Sequence, residues 1–145
     1  MRKNRLRLLC ATLVAMLAIV LCACGGTKPE DGIVFRNGSD EEVAGFYISS
    51  TSNDNWGEHC NKSTVKAGGE TVISGDVLVD GGGVVYDVAA YNGVSMVYEF
   101  YGITLDKGYT IELSANGIGS TPTLTVTDAS GSSVTYEGSA VPHVG

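Results

Sequence analysis

From residue 33 onward, apolar and polar side chains alternate along short runs, and glycine or asparagine interrupts the runs every eight to twelve residues. A period of two belongs to an extended strand, whose successive side chains point to opposite faces. A helix would repeat its apolar residues at spacings of three and four, and no long window of this chain does so. Val94, Met96, Tyr98 and Phe100 share one face of such a run, with Ser95, Val97, Glu99 and Tyr101 opposite. Tyr109, Ile111 and Leu113 alternate with Thr110, Glu112 and Ser114, and Leu124 and Val126 with Thr123, Thr125 and Thr127. All 20 glycines lie after residue 24, about one in six of the 122 residues from Cys24 onward, against an ordinary usage of about 7%.

This pattern predicts nine short strands, over residues 33–37, 43–50, 71–74, 77–80, 84–91, 94–101, 109–114, 123–127 and 134–136. Asn92-Gly93 stands between two of them and suits a two-residue hairpin turn, because both residues tolerate positive φ. Gly38-Ser39 joins the first two, and Ser130-Gly131 marks a turn before Val134 and Tyr136. Residues 51–60 are rich in Ser, Asn and Asp, which cap helices and form turns, so a loop with one helical turn is expected there. Parallel pairing through helices needs crossovers of a dozen residues, for which there is no room. The expected fold is therefore all-β, an antiparallel β-sandwich of about eight or nine strands over residues 33–139, followed by a tail at 140–145.

The first 23 residues follow different rules. Arg2, Lys3, Arg5 and Arg7 precede the uncharged run from Leu8 to Ala23, and no acid appears before Glu30. A basic start, an apolar run and small residues at its end make a secretory signal. As a helix the run reaches about 24 Å, short of the roughly 30 Å hydrocarbon core of a bilayer. Leu21-Cys22-Ala23-Cys24 then resembles the lipobox of bacterial lipoprotein precursors. That resemblance implies cleavage before Cys24, a diacylglyceryl thioether on its sulfur, and a mature protein tethered outside the cytoplasm through residues 24–32. Only a thiolate combines the nucleophilicity and stable product this step requires. The chain carries a net charge of −7, but from Cys24 onward 5 basic face 16 acidic residues, about −11. So acidic a domain is a poor ligand for nucleic acid, whose phosphates bind Lys and Arg. With Cys10 and Cys22 removed and Cys24 acylated, Cys60 is left without a disulfide partner.

Within the domain, Phe46-Tyr47-Ile48-Ser49-Ser50-Thr51-Ser52-Asn53-Asp54-Asn55-Trp56-Gly57 is similar to a segment of small secreted bacterial β-sandwich modules. In those modules a Tyr-Ile-Ser strand leads through a Ser/Asp-rich loop to Trp-Gly. Gly69-Glu70-Thr71-Val72, Tyr86-Asp87-Val88, Tyr98-Glu99-Phe100 and Gly102-Ile103-Thr104-Leu105 continue the likeness, which covers roughly residues 33 to 113. It implies a compact all-β fold and no particular activity. His59-Cys60 departs from it, where apolar residues usually follow Trp-Gly, as does the Thr/Ser-rich stretch from Thr121 to Gly138.

The candidates for chemistry are few. His59-Cys60 could pair base and nucleophile, but neighbours on an extended chain point apart, and a half-buried thiol beside a solvent-facing imidazole is the expectation. Asn53-Asp54-Asn55 with Glu58 resembles half a calcium loop, without the glycine and terminal glutamate at their offsets. Trp56 is the one aromatic side chain expected to stand exposed as a platform for sugars, since Tyr86, Tyr98 and Tyr136 fall on core faces. Asp87 should turn away from the core and accept a hydrogen bond from a turn, and Gly81-Gly82-Gly83 lacks the lysine and helix of a phosphate loop. No paired carboxylates, metal spacing or Ser/His/Asp order is present, so the chain reads as a non-enzyme with no cofactor. The expectation is a monomeric, membrane-anchored interaction or structural protein. A glycan- or calcium-binding surface module, with Trp56, Asn53 and Asp54 as binding residues, is the alternative.

Overall fold

The computed structural model describes residues 26–51, 55–78, 84–116 and 119–143. Nine strands form two sheets: β1 (Gly32–Asn37), β2 (Gly45–Ser50), β3 (Glu70–Ser74), β4 (Val85–Tyr91), β5 (Met96–Thr104), β6 (Thr110–Ser114), β7 (Thr123–Thr127), β8 (Ser133–Glu137) and β9 (Ser139–Pro142). The larger sheet runs β3-β1-β6-β7-β8 and the smaller β2-β4-β5-β9. The chain is an all-β sandwich.

Alternation produces the two-layer arrangement directly. Ile33 and Phe35 of β1, Ile111 and Leu113 of β6, and Leu124 and Val126 of β7 point inward from the larger sheet. Phe46 and Ile48, Tyr86, Val88 and Ala90, and Tyr98 and Phe100 point inward from the smaller. Burying each large apolar side chain contributes roughly 1.5–3 kcal/mol, which is why period-two patterning selects this fold over any single sheet. Phe35 and Phe46 stack between the layers with ring centroids 4.2 Å apart and planes 29° from parallel. Two fully buried asparagines brace the crossings between layers. The Asn37 side-chain amide donates to the carbonyls of Glu41 and Val65 at 2.8 and 2.9 Å. That of Asn61 donates to Ala44 and Ser63, while its oxygen accepts from the Phe46 amide at 2.7 Å.

Several local expectations are corrected. Antiparallel pairing holds at six of the seven strand pairs, but β1 and β6 run parallel, with Val34 opposite Thr110 and Asn37 opposite Leu113. No helix was needed for that crossover, because residues 38–109 supply β2, β4 and β5 to the other sheet and β3 to the far side of β1 before β6 returns. β1 and β2, joined through Gly38-Ser39, belong to different sheets. Residues 77–80 do not add a strand: Gly75–Val77 is a 3-10 turn capped by Ser74, whose hydroxyl accepts from the Asp76 amide, and residues 79 and 80 lie outside the described residues. The ninth strand comes instead from β9, in residues expected as a tail. At the other end, Gly32 begins β1 rather than closing the tether, and Pro29–Asp31 is a 3-10 turn. Of residues 51–60, those described form no helical turn.

The hairpin at Asn92-Gly93 exists, with a wider loop. Four residues, 92–95, separate β4 from β5, and Val94 is 80% exposed instead of facing the core. A two-residue turn of the expected kind needs positive φ at both positions, whereas only Gly93 has it, at +81°. The Asn92 side chain does the rest: its oxygen accepts from the amides of Val94, Ser95 and Met96 at 3.1, 3.0 and 3.0 Å. Such side-chain bonds offer the backbone an alternative to the tight ladder turn.

Candidate functional site

The outer face of the smaller sheet departs from what a solvated face carries. Strand register sets its side chains in rows. Gly45, Tyr91, Val97 and Val141 form one row across β2, β4, β5 and β9; Tyr47, Ala89, Glu99 and Ser139 form the next. Small residues stand between large ones, so the face is grooved. A Cβ on Gly45 would meet the Tyr47 hydroxyl at 2.9 Å and its ring carbons at 3.0 and 3.2 Å, so glycine there lets the Tyr47 ring lie along its own strand. Ala89 is 1% exposed and forms the base.

Two segments outside the rows complete the groove. The loop after β2 is fastened where the Ser49 hydroxyl donates to the Asn55 carbonyl at 3.0 Å. It sets the Trp56 ring 6.3 Å from that of Tyr101, tilted 43°. At the far end the His143 amide donates to the Ser95 carbonyl, and its ring lies 4.7 Å from Tyr91. The groove, open to solvent along its length, has a volume of about 440 Å³ and is walled by Tyr47, Trp56, Tyr91, Val97, Pro142 and His143. Small-ligand sites occupy roughly 300–1,000 Å³.

Among the described residues, Glu99 is the only Asp, Glu, Lys or Arg lining this groove. The Tyr101 hydroxyl donates to its Oε2 at 2.6 Å. That hydrogen bond, with burial and the charges of Glu99 and Asp87, pushes the Tyr101 phenol up to about 12. The phenol therefore stays protonated through neutral pH and keeps its hydrogen bond to Glu99. Beside this pair, β5 carries a bulge. Tyr101 and Gly102 stand opposite Asp87 where the β4–β5 register shifts, Gly102 has φ +73°, and its amide donates to the Asp87 carboxylate at 3.1 Å. A bulge re-aims the side chains of its strand. Asp87 thus accepts a backbone hydrogen bond.

A larger cavity, about 840 Å³, opens at one end of the sandwich beside Glu41, Asn92, Tyr98 and residues 119–122. Its polar groups engage one another: Asn92 donates to Glu41 at 2.7 Å and Tyr98 to the same carboxylate at 3.5 Å. Burial, then the Glu41 charge and hydrogen bond and the Asp40 charge, raise the Tyr98 phenol. Those bonds serve the hairpin loop.

Of the residues singled out in the sequence, Trp56 lies at the rim of the aromatic groove, while Asn53, Asp54, Cys24 and Gly81-Gly82-Gly83 lie outside the described residues. His59 and Cys60 diverge. His59 Nδ1 lies 2.8 Å from the Asn61 carbonyl, which can only accept, so Nδ1 carries the proton; its ring meets Tyr47 edge-on at 6.4 Å. Cys60 packs against the core, and burial pushes its thiol up, opposed by a backbone hydrogen bond at Ile48. Among the described residues no three His, Cys, Asp or Glu are grouped so as to hold a metal ion. Tyr47, Tyr91, Glu99 and Tyr101 were not singled out as site residues. Their signal was present as aromatic residues on the polar phase of the alternation, Tyr101 and Glu99 opposite Tyr98 and Phe100. Comparison with protein-family models, with curated proteins and with solved structures finds no match.

Proposed function

We propose that the chain is an extracytoplasmic lipoprotein, held to a bacterial membrane through Cys24, whose β-sandwich binds a partner with the outer face of its smaller sheet. The observation that carries this reading is the groove itself. Four aromatic rings, Tyr47, Trp56, Tyr91 and Tyr101, lie on or beside a sheet face that builds no part of the hydrophobic core. Aromatic residues left half-exposed around a concavity are the groups that dominate contact energies in protein recognition.

Orientation supports the same reading. The tether enters beside Gly75 and Gly108: the Gly108 amide donates to the Gly32 carbonyl at 2.8 Å. The loop at residues 92–95, with Tyr91 and His143 beside it, is at the opposite end, where Asn92 reaches Glu41. A lipid at residue 24 would therefore leave the groove's Tyr91 end turned away from the bilayer, with its Trp56 and Tyr101 end nearer the tether.

Fractionation and intact-mass measurement test the anchor, and capture of envelope fragments tests the face. Wild type stays with membranes and carries the added lipid mass. Cys24→Ser is released without it, and Trp56→Ala stays anchored and folded but loses capture. Membrane retention of acyl-free Cys24→Ser refutes the anchor, and capture indifferent to Trp56→Ala refutes the face.

A further inference from the structure

We infer that the groove takes a neutral pyranose glycan and that Glu99 is the residue that sets this specificity. The inference rests on the reading of the outer sheet face as the contact surface, and names the chemistry that face would recognise. Sugar rings present two kinds of surface: apolar C–H faces and a rim of hydroxyl donors. Tyr47, Trp56 and Tyr91 offer ring faces for the first, where dispersion and the amphipathic character of Trp and Tyr both act. Glu99 answers the second. An ionised carboxylate has about four acceptor positions, and Tyr101 occupies one, on Oε2. The remaining positions accept hydroxyl donors in charge-assisted hydrogen bonds, which are stronger than neutral ones.

Charge decides which glycan. Among the described residues no Lys or Arg lines the groove, and the only ion pair is Arg36 with Glu70, on the larger sheet. Glu99 lines the groove, so a ligand seated there comes directly beside its carboxylate. A sugar carboxylate or sulfate brought beside it meets a like charge, with no Lys or Arg among the described lining residues to neutralise it, and specificity by repulsion follows. Tyr101 is a positioning residue here. Its hydroxyl pins Oε2, so the free oxygen of Glu99 faces one direction.

Calorimetric titration of the full lipidated chain, in a detergent without a sugar headgroup, tests this with cellohexaose, chitohexaose and maltohexaose as neutral probes and hexagalacturonate as the acidic one. Wild type binds at least one neutral probe and not the acidic one. Glu99→Gln, which keeps the shape and the acceptor for Tyr101, weakens the neutral probe about tenfold and admits the acidic one. Trp56→Ala loses about tenfold or more for the neutral probe, and Glu137→Gln, removing an exposed carboxylate on the other sheet, changes neither. Tyr101→Phe weakens the neutral probe without admitting the acidic one, since the charge stays. Equal responses of Glu99→Gln and Glu137→Gln, or acidic binding by wild type, overturn the inference. Envelope capture that needs Trp56 but survives periodate oxidation of sugars overturns it while leaving the contact face standing. Capture that ignores Trp56 removes both.

Discussion

At the scale of single residues, the groove is defined by side chains whose neighbours make room for them. Tyr47 depends on the missing side chain at Gly45, and Glu99 depends on the hydroxyl of Tyr101. The second dependence has a pH signature. A phenol that ionises near 12 when folded, against about 10 in an unfolded chain, binds its proton more tightly in the native state. Its contribution to stability is complete below the unfolded value and is lost as pH rises through the folded one. Ultraviolet titration of wild type against Tyr101→Phe should therefore isolate one phenol ionising near 12, and Glu99→Gln should bring it down toward about 10. A Tyr101 phenol titrating with the ordinary tyrosines would show that the hydrogen bond is absent in solution.

Among the elements, β9 ties site to scaffold. It is a short exposed edge strand that pairs with β5 from Met96 to Glu99 and carries Val141, Pro142 and His143 to the groove. It can lie there because Gly138 has no side chain. A Cβ at that position would fall 2.5 Å from a Phe100 ring carbon and 2.6 Å from the Glu99 carbonyl oxygen. Neither can yield, since Phe100 is fully buried and the carbonyl is backbone. Gly138→Val should release β9 while the other strands hold. Amide exchange would then quicken across β9 and β5, and the contact between His143 and Tyr91 would be lost, with little change at β6 and β7. Uniform loss of protection would mean that β9 is integral to the core instead.

For the whole molecule, stability depends on the contact between two layers that share few continuous chain segments. The Phe35–Phe46 stack joins β1 of one sheet to β2 of the other, and both rings are fully buried. Phe46→Ala should cost about 3–5 kcal/mol in denaturant unfolding, a transfer loss plus a cavity that the sheets cannot close without shifting register. It should also keep a single unfolding transition, because both sheets face one core. Two separated transitions would show that the layers fold apart. The proposed anchorage would act at this scale too. Residues 24–28, fully extended, span at most about 17 Å, so a lipid on Cys24 would hold the sandwich close against its membrane.

Period-two alternation, with turn residues at short intervals, determined by itself an all-β fold whose short strands bury one face, a pattern that sandwiches and barrels share; the division into two sheets belongs to the tertiary structure. It also assigned Phe100, Ile111, Leu113 and Leu124 to the core, because facing is a local property of an extended chain. What alternation cannot carry is pairing. The parallel contact of β1 with β6, and the capture of β9 by β5, depend on which distant segments fill each edge. Turn form escaped for a similar reason: Asn92-Gly93 marks a reversal, but the loop widened because the Asn92 side chain bonded three amides beyond it. The groove is the clearest case. Tyr47, Tyr91, Glu99 and Trp56 are spread over 53 positions of chain, and only strand register and the folded loop bring them to one face. Local physics decides which way a side chain points, and tertiary structure decides what it meets there.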